Sequence, residues 1–301
     1  MIPDQIVKEL LKEVHERILK KKDDYSINIF LCGAKQDEKD SIRKRIQDSI
    51  EIRNSATFNI YLPEELFYNL LPNKRHNLLR LEHELASDVD VIILPLEGYG
   101  TVAELGAFAS FPDLIEKMVV INNERYKRKH RSFINIGPIE LVRSKNKKNI
   151  IYYVDHSLDG MIHDVYKRLL HFRRQPKKRD IKNLFTFSKF LLYLIAIFQP
   201  ITKGEIEKDL KTWGVGIQEH YIDPALQILS QRGNISMDPV RSQETYSLTS
   251  EGNYYVYEKL CHELKLTKVV SKMRSEILHF QNRKIKVFDL DKEREKLLGI
   301  S

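Results

Sequence analysis

The chain has 301 residues, a length that suggests about two domains. Its formal net charge of +8 and isoelectric point near 9.2 suit a protein that meets nucleic acid or another polyanion, although a solvated basic surface is the commoner cause of a modest excess. Cys32 and Cys261 are the only cysteines, and no run of about 18 apolar residues occurs, which excludes a disulfide scaffold and a membrane-spanning protein. We therefore expect a soluble cytoplasmic protein.

The first predicted elements are an amphipathic helix and a buried strand. Residues 3–22 carry apolar side chains at helical spacing, and this helix would pack on its own domain or, less commonly, on a partner. Residues 27–31 form a strand that leads into the turn Cys32-Gly33-Ala34, where backbone amides can face a phosphate or a sugar. Gly33 alone is a weak phosphate signal. Cys32 is typical of a small residue at a strand end, because no nearby histidine or second cysteine indicates an activated thiol.

Strands and helices then alternate through the first half of the chain, which favours a parallel, doubly wound α/β sheet. The run Val91 to Leu94 is continuously apolar, as is typical of a central strand buried on both faces. The other predicted strands are Phe58 to Tyr61, Met118 to Asn122 and Ile150 to Val154, and the predicted helices are Lys39 to Glu51, one that starts at Pro63, Leu78 to Ser87 and Leu158 to Leu170.

The stretch after the central strand holds the leading catalytic candidate. Gly98 and Gly100 follow the strand, and Thr101 can cap a helix that carries Glu104. Ligands of open α/β sheets bind beyond the carboxyl ends of the strands, so Glu104 is predicted to lie at the usual place for chemistry. A structural explanation stays open, because a threonine followed three residues later by glutamate also forms a capping box in the first turn of a helix.

Two basic stretches are candidates for contact with a polyanion. The first is a loop after the predicted strand at 118–122, on the expected ligand edge of the sheet, and the second is the stretch 168–182, which contains Pro176 and predicts an interdomain hinge. A solvated charged face is the commoner role of such a run, and phosphate or nucleic-acid binding is the alternative. The candidate residues are Arg125, Lys127, Arg128, Lys129 and Arg131 in the loop and Arg173, Arg174, Lys177 and Lys178 in the hinge.

Three helices, a hairpin and a closing helix make the C-terminal half resemble a winged helix-turn-helix domain. The helices are predicted at 185–198, 203–211 and 223–232, the strands at 235–237 and 245–248 around a loop at Pro239, and the last helix from Thr249 through Cys261. The candidate recognition helix at 223–232 has few positive charges, which disfavours reading of duplex bases and favours docking on a nucleic-acid or protein partner. The stretch from 265 is either an amphipathic helix or a partner-binding tail.

Two families are similar to this sequence. The first strand and turn, IFLCGA, and the later motif GTVAELGAF resemble the nucleoside 2-deoxyribosyltransferase-like fold. A more specific resemblance, over nearly the whole chain, is to the effector proteins of type II retrons, which are bacterial anti-phage systems. The stretches that carry it are IFLCG, YLPEELF, DVDVIILP, ELGAF and HRSFINIGP.

The resemblance implies roles for individual residues. Glu104 would be the nucleophile that attacks the anomeric carbon of a sugar, and Glu82 would orient the sugar, where the deoxyribosyltransferases carry an aspartate. The aspartate that handles the base in those enzymes is replaced here by Tyr99, so Glu97 would substitute for it unless Glu97 is a solvated loop residue. The other substrate-binding residues implied are Phe30, Cys32, Gly33, Ala34, Gly100 and Thr101.

The resemblance also implies an activity and partners. The activity is cleavage of the N-glycosidic bond of a nucleotide, with NAD as the favoured substrate, no cofactor and no metal. The partners are the retron reverse transcriptase and its RNA–DNA hybrid product, which would hold the effector inactive until infection, and a higher-order oligomer. The alternatives are a deoxyribosyltransferase or DNA base-removing enzyme, and a non-catalytic nucleotide sensor or DNA-binding regulator.

These inferences give a domain plan. It consists of an N-terminal helix at 1–24, a nucleoside deoxyribosyltransferase-like catalytic domain at 25–172, a basic linker at 173–184, a winged-helix domain at 185–264 and a C-terminal helical tail at 265–301.

Overall fold

The structure is a computed structural model. It describes residues 26–33, 41–54, 57–67, 78–128, 131–155, 157–175, 180–212, 221–240 and 243–262, with residues 12, 16 and 265 and short pieces at 267–268, 270–275 and 277–279. The predicted N-terminal helix, most of the C-terminal tail and the residues Ala34, Lys129, Lys177 and Lys178 lie outside this described part. The chain divides into two compact units, one of residues 23–178 and one of residues 1–22 and 179–301.

The first unit contains a five-stranded parallel sheet, as predicted. In sheet order its strands are β2, β1, β3, β4 and β5, and all neighbours are parallel. The strands are β1 (Ile27–Leu31), β2 (Phe58–Tyr61), β3 (Val91–Pro95), β4 (Met118–Asn123) and β5 (Ile150–Tyr153). Every residue of β3 is buried, which confirms it as the central strand.

Helices cover both faces of this sheet. Apolar side chains of α1 and α8, such as Ile46 and Val165, share one core with Ile29 and Ile93 of the sheet. On the other face, Phe30 packs on Phe108 of α4, with 6.0 Å between the ring centroids. The helices are α1 (Ile42–Asn54), α2 (Pro63–Phe67), α3 (Leu78–Asp88), α4 (Tyr99–Phe108), α5 (Pro112–Ile115), α6 (Phe133–Ile136), α7 (Pro138–Lys145) and α8 (Asp159–Arg173).

Helices α6 and α7 were not predicted from the sequence. The pair Gly137-Pro138 interrupts the apolar pattern, but it stands between the two helices and not within one. Gly137 is the N-cap of α7, and Pro138 occupies the first helical position, where a proline costs no intrahelical hydrogen bond.

The second unit combines helices with a small antiparallel sheet in the order β6, β8, β7. Helix α9 is almost entirely buried and forms the centre of this unit. Its elements are α9 (Leu184–Phe198), β6 (Ile201–Thr202), α10 (Lys203–Thr212), α11 (Ile222–Gln231), β7 (Ile235–Val240), β8 (Gln243–Leu248) and α12 (Ser250–Tyr254), which continues as a π-helix, Tyr255–Cys261.

Local signals in this unit were predicted with mixed success. The sequence places Glu205 three residues after Thr202, which predicts a capping box at the start of α10, and each side chain does accept a hydrogen bond from the other residue's backbone N–H. The predicted loop around Pro239 is wrong, since Pro239 lies within β7 and pairs with Glu244. An edge strand accepts proline because one row of its backbone N–H positions needs no strand partner.

Within the described ranges, no helix combines the length and the apolar composition needed to cross a bilayer.

Candidate functional site

The candidate site lies where the chain order of the sheet reverses, between β1 and β3. Cys32 directly follows β1, and its backbone N–H donates to the carbonyl of Ile93 in β3 at 3.0 Å. The connection from β3 to α4 starts beside it. In open α/β sheets, the crevice at such a reversal is the usual ligand site.

Helix α4 carries Glu104 in its second turn. The helix begins at Tyr99 after the extended N-cap Gly98, and its first turn has no acidic residue. Thr101 is the third helical residue, and its hydroxyl donates to the carbonyl of Gly98 at 2.9 Å. The prediction that Thr101 is the N-cap is therefore wrong, because the helix starts earlier than the residue types suggested. The same shift removes the capping-box explanation of Glu104.

The carboxylate of Glu104 is poorly compensated by its surroundings. Its Oε2 atom is buried and has no hydrogen-bond partner among the described residues. Burial raises the pKa of Glu104, and a hydrogen bond from the Cys32 thiol acts in the opposite direction. A buried polar atom without a partner is rare in folded proteins and is a common feature of functional sites.

Glu82 of α3 belongs to the same electrostatic cluster. Burial, and then the negative charges of Glu104 and Glu64, raise the pKa of Glu82 to about 7. Burial and the nearby Glu104 also raise the pKa of the Cys32 thiol well above its ordinary value, so this cysteine is a hydrogen-bond donor and not a thiolate. At neutral pH Glu82 is therefore close to half protonated, and the neighbouring Glu104 has a pKa that burial raises and the Cys32 thiol lowers.

Arg43 of α1 is the cation of this cluster, and the sequence did not identify it. Only 3 % of its side chain is exposed, and it forms an ion pair with Glu64. Its guanidinium also reaches the carbonyl of Gly33 at 3.4 Å, and its charge lowers the pKa of Glu104. In sequence, Arg43 is one of several charges on a helix, and only the folded chain shows that its side chain turns inward.

Gly33 is needed because of Arg43. Its backbone has a φ of +142°, and a Cβ atom at this position would lie 2.6 Å from the Cβ of Arg43. Such a conformation and such a distance exclude an ordinary side chain. The structure therefore gives Gly33 a packing role in addition to its predicted place in the ligand turn.

Glu97 caps helix α1. Its two carboxylate oxygens accept hydrogen bonds from the backbone N–H groups of Ile42 and Arg43. Negative charge at a helix N-terminus is stabilising. Glu97 is thus neither a solvated loop residue nor an unengaged acid, and its contact with substrate stays a prediction.

The remaining predicted residues lie in different settings. Phe30 is fully buried in the core, whereas Gly100 is exposed with open space around it. Tyr99 is 98 % exposed. Arg125, Lys127, Arg128, Arg131 and Arg174 are exposed, and Arg173 is half-buried. The structure thus groups Cys32, Glu82 and Glu104 together, while the basic residues lie on the surface.

In the part of the chain that the structure describes, no group of three or more His, Cys, Asp or Glu residues could hold a metal ion.

A five-stranded parallel sheet in this order, with helices on both faces, defines an α/β protein of the doubly wound class, and two carboxyl groups with raised pKa values lie where its strand order reverses. Residues 39–237 match the STM3845 retron effector protein family, and the chain belongs to that family. This confirms the resemblance to retron effectors.

Two relatives come from Escherichia coli. A protein of retron Ec86 is 30 % identical over 285 residues, which cover 88 % of this chain and 89 % of the relative. A protein of retron Ec73 is 31 % identical over 254 residues, which cover 76 % of this chain and 79 % of the relative. The names of both propose a ribosyltransferase and DNA-binding protein.

Proposed function

We propose that this retron effector is an N-glycosidase that cleaves the N-glycosidic bond of a nucleotide, with NAD as the favoured substrate and Glu104 as the nucleophile. The observation that carries the proposal is the buried, unpartnered Oε2 atom of Glu104 at the reversal point of the sheet. The ribosyltransferase named in the two relatives supports chemistry at an anomeric carbon.

The proposed reaction has two steps. An oxygen of Glu104 forms a bond with C1′ as the bond from C1′ to the base nitrogen breaks, and the base leaves with the electron pair. Water then hydrolyses the ribosyl ester, which releases the sugar product and restores the carboxylate. Arg43 and the Cys32 thiol favour the ionised form of Glu104 and so keep the nucleophile available.

The surroundings of Tyr99 and Glu97 favour a substrate such as NAD. A purine base leaves readily only when an acid protonates it, but Tyr99 replaces the expected aspartate and points into solvent. The nearby carboxylate of Glu97 is engaged in capping α1. Nicotinamide needs no proton, because its ring nitrogen is positively charged in NAD and becomes neutral when it takes the electron pair.

Glu82 is suited to a second role in the same reaction. With its pKa raised to about 7, it carries a proton in a large fraction of molecules at neutral pH. A protonated carboxyl group can donate a hydrogen bond to a ribose hydroxyl, whereas the ionised Glu104 cannot donate one. Glu82 therefore orients the sugar while Glu104 attacks.

The second unit would connect this enzyme to its retron. Its helices and antiparallel hairpin support a winged-helix domain, and the relatives are named as DNA-binding. We infer that this domain docks on the retron reverse transcriptase and its RNA–DNA product in a higher-order cytoplasmic oligomer. That complex would hold the enzyme inactive until infection, after which loss of NAD stops growth of the cell.

The test is release of bases by purified protein, assayed alone and together with the reverse transcriptase and the RNA–DNA product. Wild type, Glu104→Gln and the exposed control Glu116→Gln are incubated with NAD, deoxynucleosides and single-stranded DNA. We expect wild type and Glu116→Gln to release nicotinamide from NAD, and Glu104→Gln to lose this activity by on the order of 10³-fold or more.

The same assay contains the outcomes that contradict the proposal. Release of other bases but not nicotinamide would replace NAD by a nucleoside or DNA substrate. Nicotinamide release by Glu104→Gln at the wild-type rate would remove Glu104 from the reaction. If no sample releases any base while Glu104→Gln stays as toxic as wild type in cells, the protein is a sensor and not an enzyme.

A further inference from the structure

A cavity of about 400 Å³ lies on the side of α4 that faces away from Glu104. Val102 lines it. Val102 and Glu104 are two positions apart in the helix, so their side chains point about 200° apart around the helix axis. The wall also includes Leu96, which follows β3, and Ile134 of α6. The cavity is therefore separate from Glu104 and Glu82, although both sites adjoin the start of α4. Glu97, whose carboxylate caps α1, also lines the cavity.

Two polar groups face this cavity without a partner. Asn122, near the end of β4, is only 4 % exposed, and its side-chain amide makes no hydrogen bond to another described residue. Ser132 stands at the N-cap of α6, but its hydroxyl does not cap the helix. Buried amides are normally hydrogen-bonded, and N-cap serines normally use their hydroxyl. Both groups are thus available to a ligand.

The cavity has the lining expected for a flat heterocycle. Leu96, Val102 and Ile134 supply apolar surface, and Tyr126 supplies an aromatic ring. The amide of Asn122 can donate and accept at once, which matches the paired donor and acceptor positions on the edge of a nucleobase. Its volume lies in the usual range for small-molecule sites.

A second cavity, of about 480 Å³, adjoins the first because Asn135 lines both. Its walls carry the cations of Lys127 and Arg143, which are held around Tyr152, and also the carboxylate of Glu140. Arg143 pairs with Glu140, and Lys127 pairs with Glu124. The Lys127 ammonium lies 4.9 Å from the ring centroid, and Arg143 donates to the phenol oxygen at 3.1 Å. Both carboxylates are more than half exposed, and exposed ion pairs are weak, so a phosphate group beside the heterocycle-sized cavity can take their place on these two cations.

We propose that the two adjoining cavities form a nucleotide-binding site distinct from the Glu104 site, with the base beside Asn122 and Ser132 and the phosphate beside Lys127 and Arg143. The ligand class is a nucleoside monophosphate unit. It comes either from the far half of a dinucleotide bound at Glu104 or from a separate nucleotide. The binding itself does not depend on the reaction proposed for Glu104.

The experiment is calorimetric titration of the full-length protein with AMP and, in parallel, with adenosine. Relative to wild type, Ser132→Ala should bind both probes about 3- to 10-fold more weakly, as expected for one lost hydrogen bond, and Asn122→Leu at least as weakly. Lys127→Gln should weaken AMP but not adenosine. The matched controls are Ser144→Ala, whose hydroxyl donates to its own helix, and Lys145→Gln, which pairs with Glu116.

Steady-state kinetics with NAD as substrate and AMP as inhibitor identify the source of the nucleotide. If the site holds the far half of the dinucleotide, AMP competes with NAD, and Ser132→Ala raises the KM for NAD with little change in kcat. If the site takes a separate nucleotide, AMP and NAD bind together, and the KM for NAD is unchanged in Ser132→Ala.

Absence of AMP binding by wild type, or equal binding by wild type, Ser132→Ala and Lys127→Gln, overturns the proposal. Ser132→Ala decides the matter if Asn122→Leu fails to fold, since the serine hydroxyl supports no other described group. Glu104→Gln should bind AMP like wild type. AMP binding therefore tests the nucleotide site even if Glu104 is not the nucleophile, and base release tests Glu104 even if AMP does not bind.

Discussion

The two sides of helix α4 differ in the kind of polar group that lines them. On the side of β1, the buried groups are ionisable, and those of Glu82, Glu104 and Cys32 all have raised pKa values. On the side of β4, Asn122 and Ser132 are neutral at every accessible pH and face an open cavity. One helix at the edge of a parallel sheet can therefore separate ionisable groups suited to chemistry from neutral groups suited to binding a ligand by hydrogen bonds.

The β1 side is the costly one to fold. Burial of a carboxylate is unfavourable unless a cation or a set of donors compensates it, and here Arg43 and the Cys32 thiol compensate only in part, because the pKa of Glu104 stays raised. The β4 side carries no such electrostatic cost. Substitutions that relieve or disturb buried charge should therefore change stability on the β1 side, whereas β4-side substitutions should mainly change ligand binding.

The largest stability effect is expected at Gly33, where the β1 side is packed most tightly. Gly33→Ala forces a side chain into a φ of +142° and against Arg43, which should lower the free energy of unfolding by about 3 kcal/mol. Gly100→Ala is the matched control, because its added methyl group meets no atom within 4 Å beyond its chain neighbours and its own helix backbone, and alanine favours a helix. Urea unfolding measures both. Equal stability of the two variants would contradict the close approach of Arg43.

A smaller effect, with a characteristic pH dependence, is expected for Glu82→Gln. The pKa of Glu82 is raised to about 7 in the folded protein and is ordinary in the unfolded chain, so folded wild type holds the proton more tightly. Wild type should therefore lose stability as the pH rises from about 4.5 to 7, and remain at the lower level above that range. Glutamine cannot ionise, so the variant should match wild type near pH 4 and exceed it at pH 8 by about 2 kcal/mol, allowing for solvent screening of a half-buried group.

Urea unfolding at pH 4, 6 and 8 checks this expectation, with Glu84→Gln on the same helix as the control. The control should keep the pH dependence of wild type. If Glu82→Gln also keeps it, Glu82 does not belong to the buried cluster, and the contrast between the two sides of α4 is lost.

The sequence predicted the sheet well because its signals are local. Each strand of the parallel sheet begins and ends within one residue of its predicted bounds, and β3 is the most uniformly apolar of them. Helices α6 and α7 were missed because Gly137 and Pro138, which stand between them, interrupt the periodicity of apolar residues that identifies a helix in sequence. Glu104 and Glu82 were named from a family motif, and their catalytic roles stay predictions.

The other parts of the site depend on contacts between residues far apart in sequence. Arg43 matters through Glu64 and Gly33, and no periodicity along α1 distinguishes it from the charges around it. Asn122 and Ser132 have ordinary residue types at ordinary positions, a strand end and a helix start. Their importance comes from the hydrogen bonds that they do not make with described residues, which a sequence cannot show.

The smallest effect is expected at Glu97, which lies between the two sides. Glu97→Gln keeps one oxygen that can accept from the start of α1 but removes the negative charge, so the loss should be about 1 kcal/mol. Glu205→Gln, in the exposed capping box of α10, is the matched control and should lose less, because glutamine also serves in a capping box. Nicotinamide release by Glu97→Gln should stay within about tenfold of wild type, since a change of about 1.4 kcal/mol is tenfold in rate. A far larger loss of activity, with stability nearly intact, would mean that Glu97 handles the substrate after all and that the boundary between chemistry and recognition does not fall at α4.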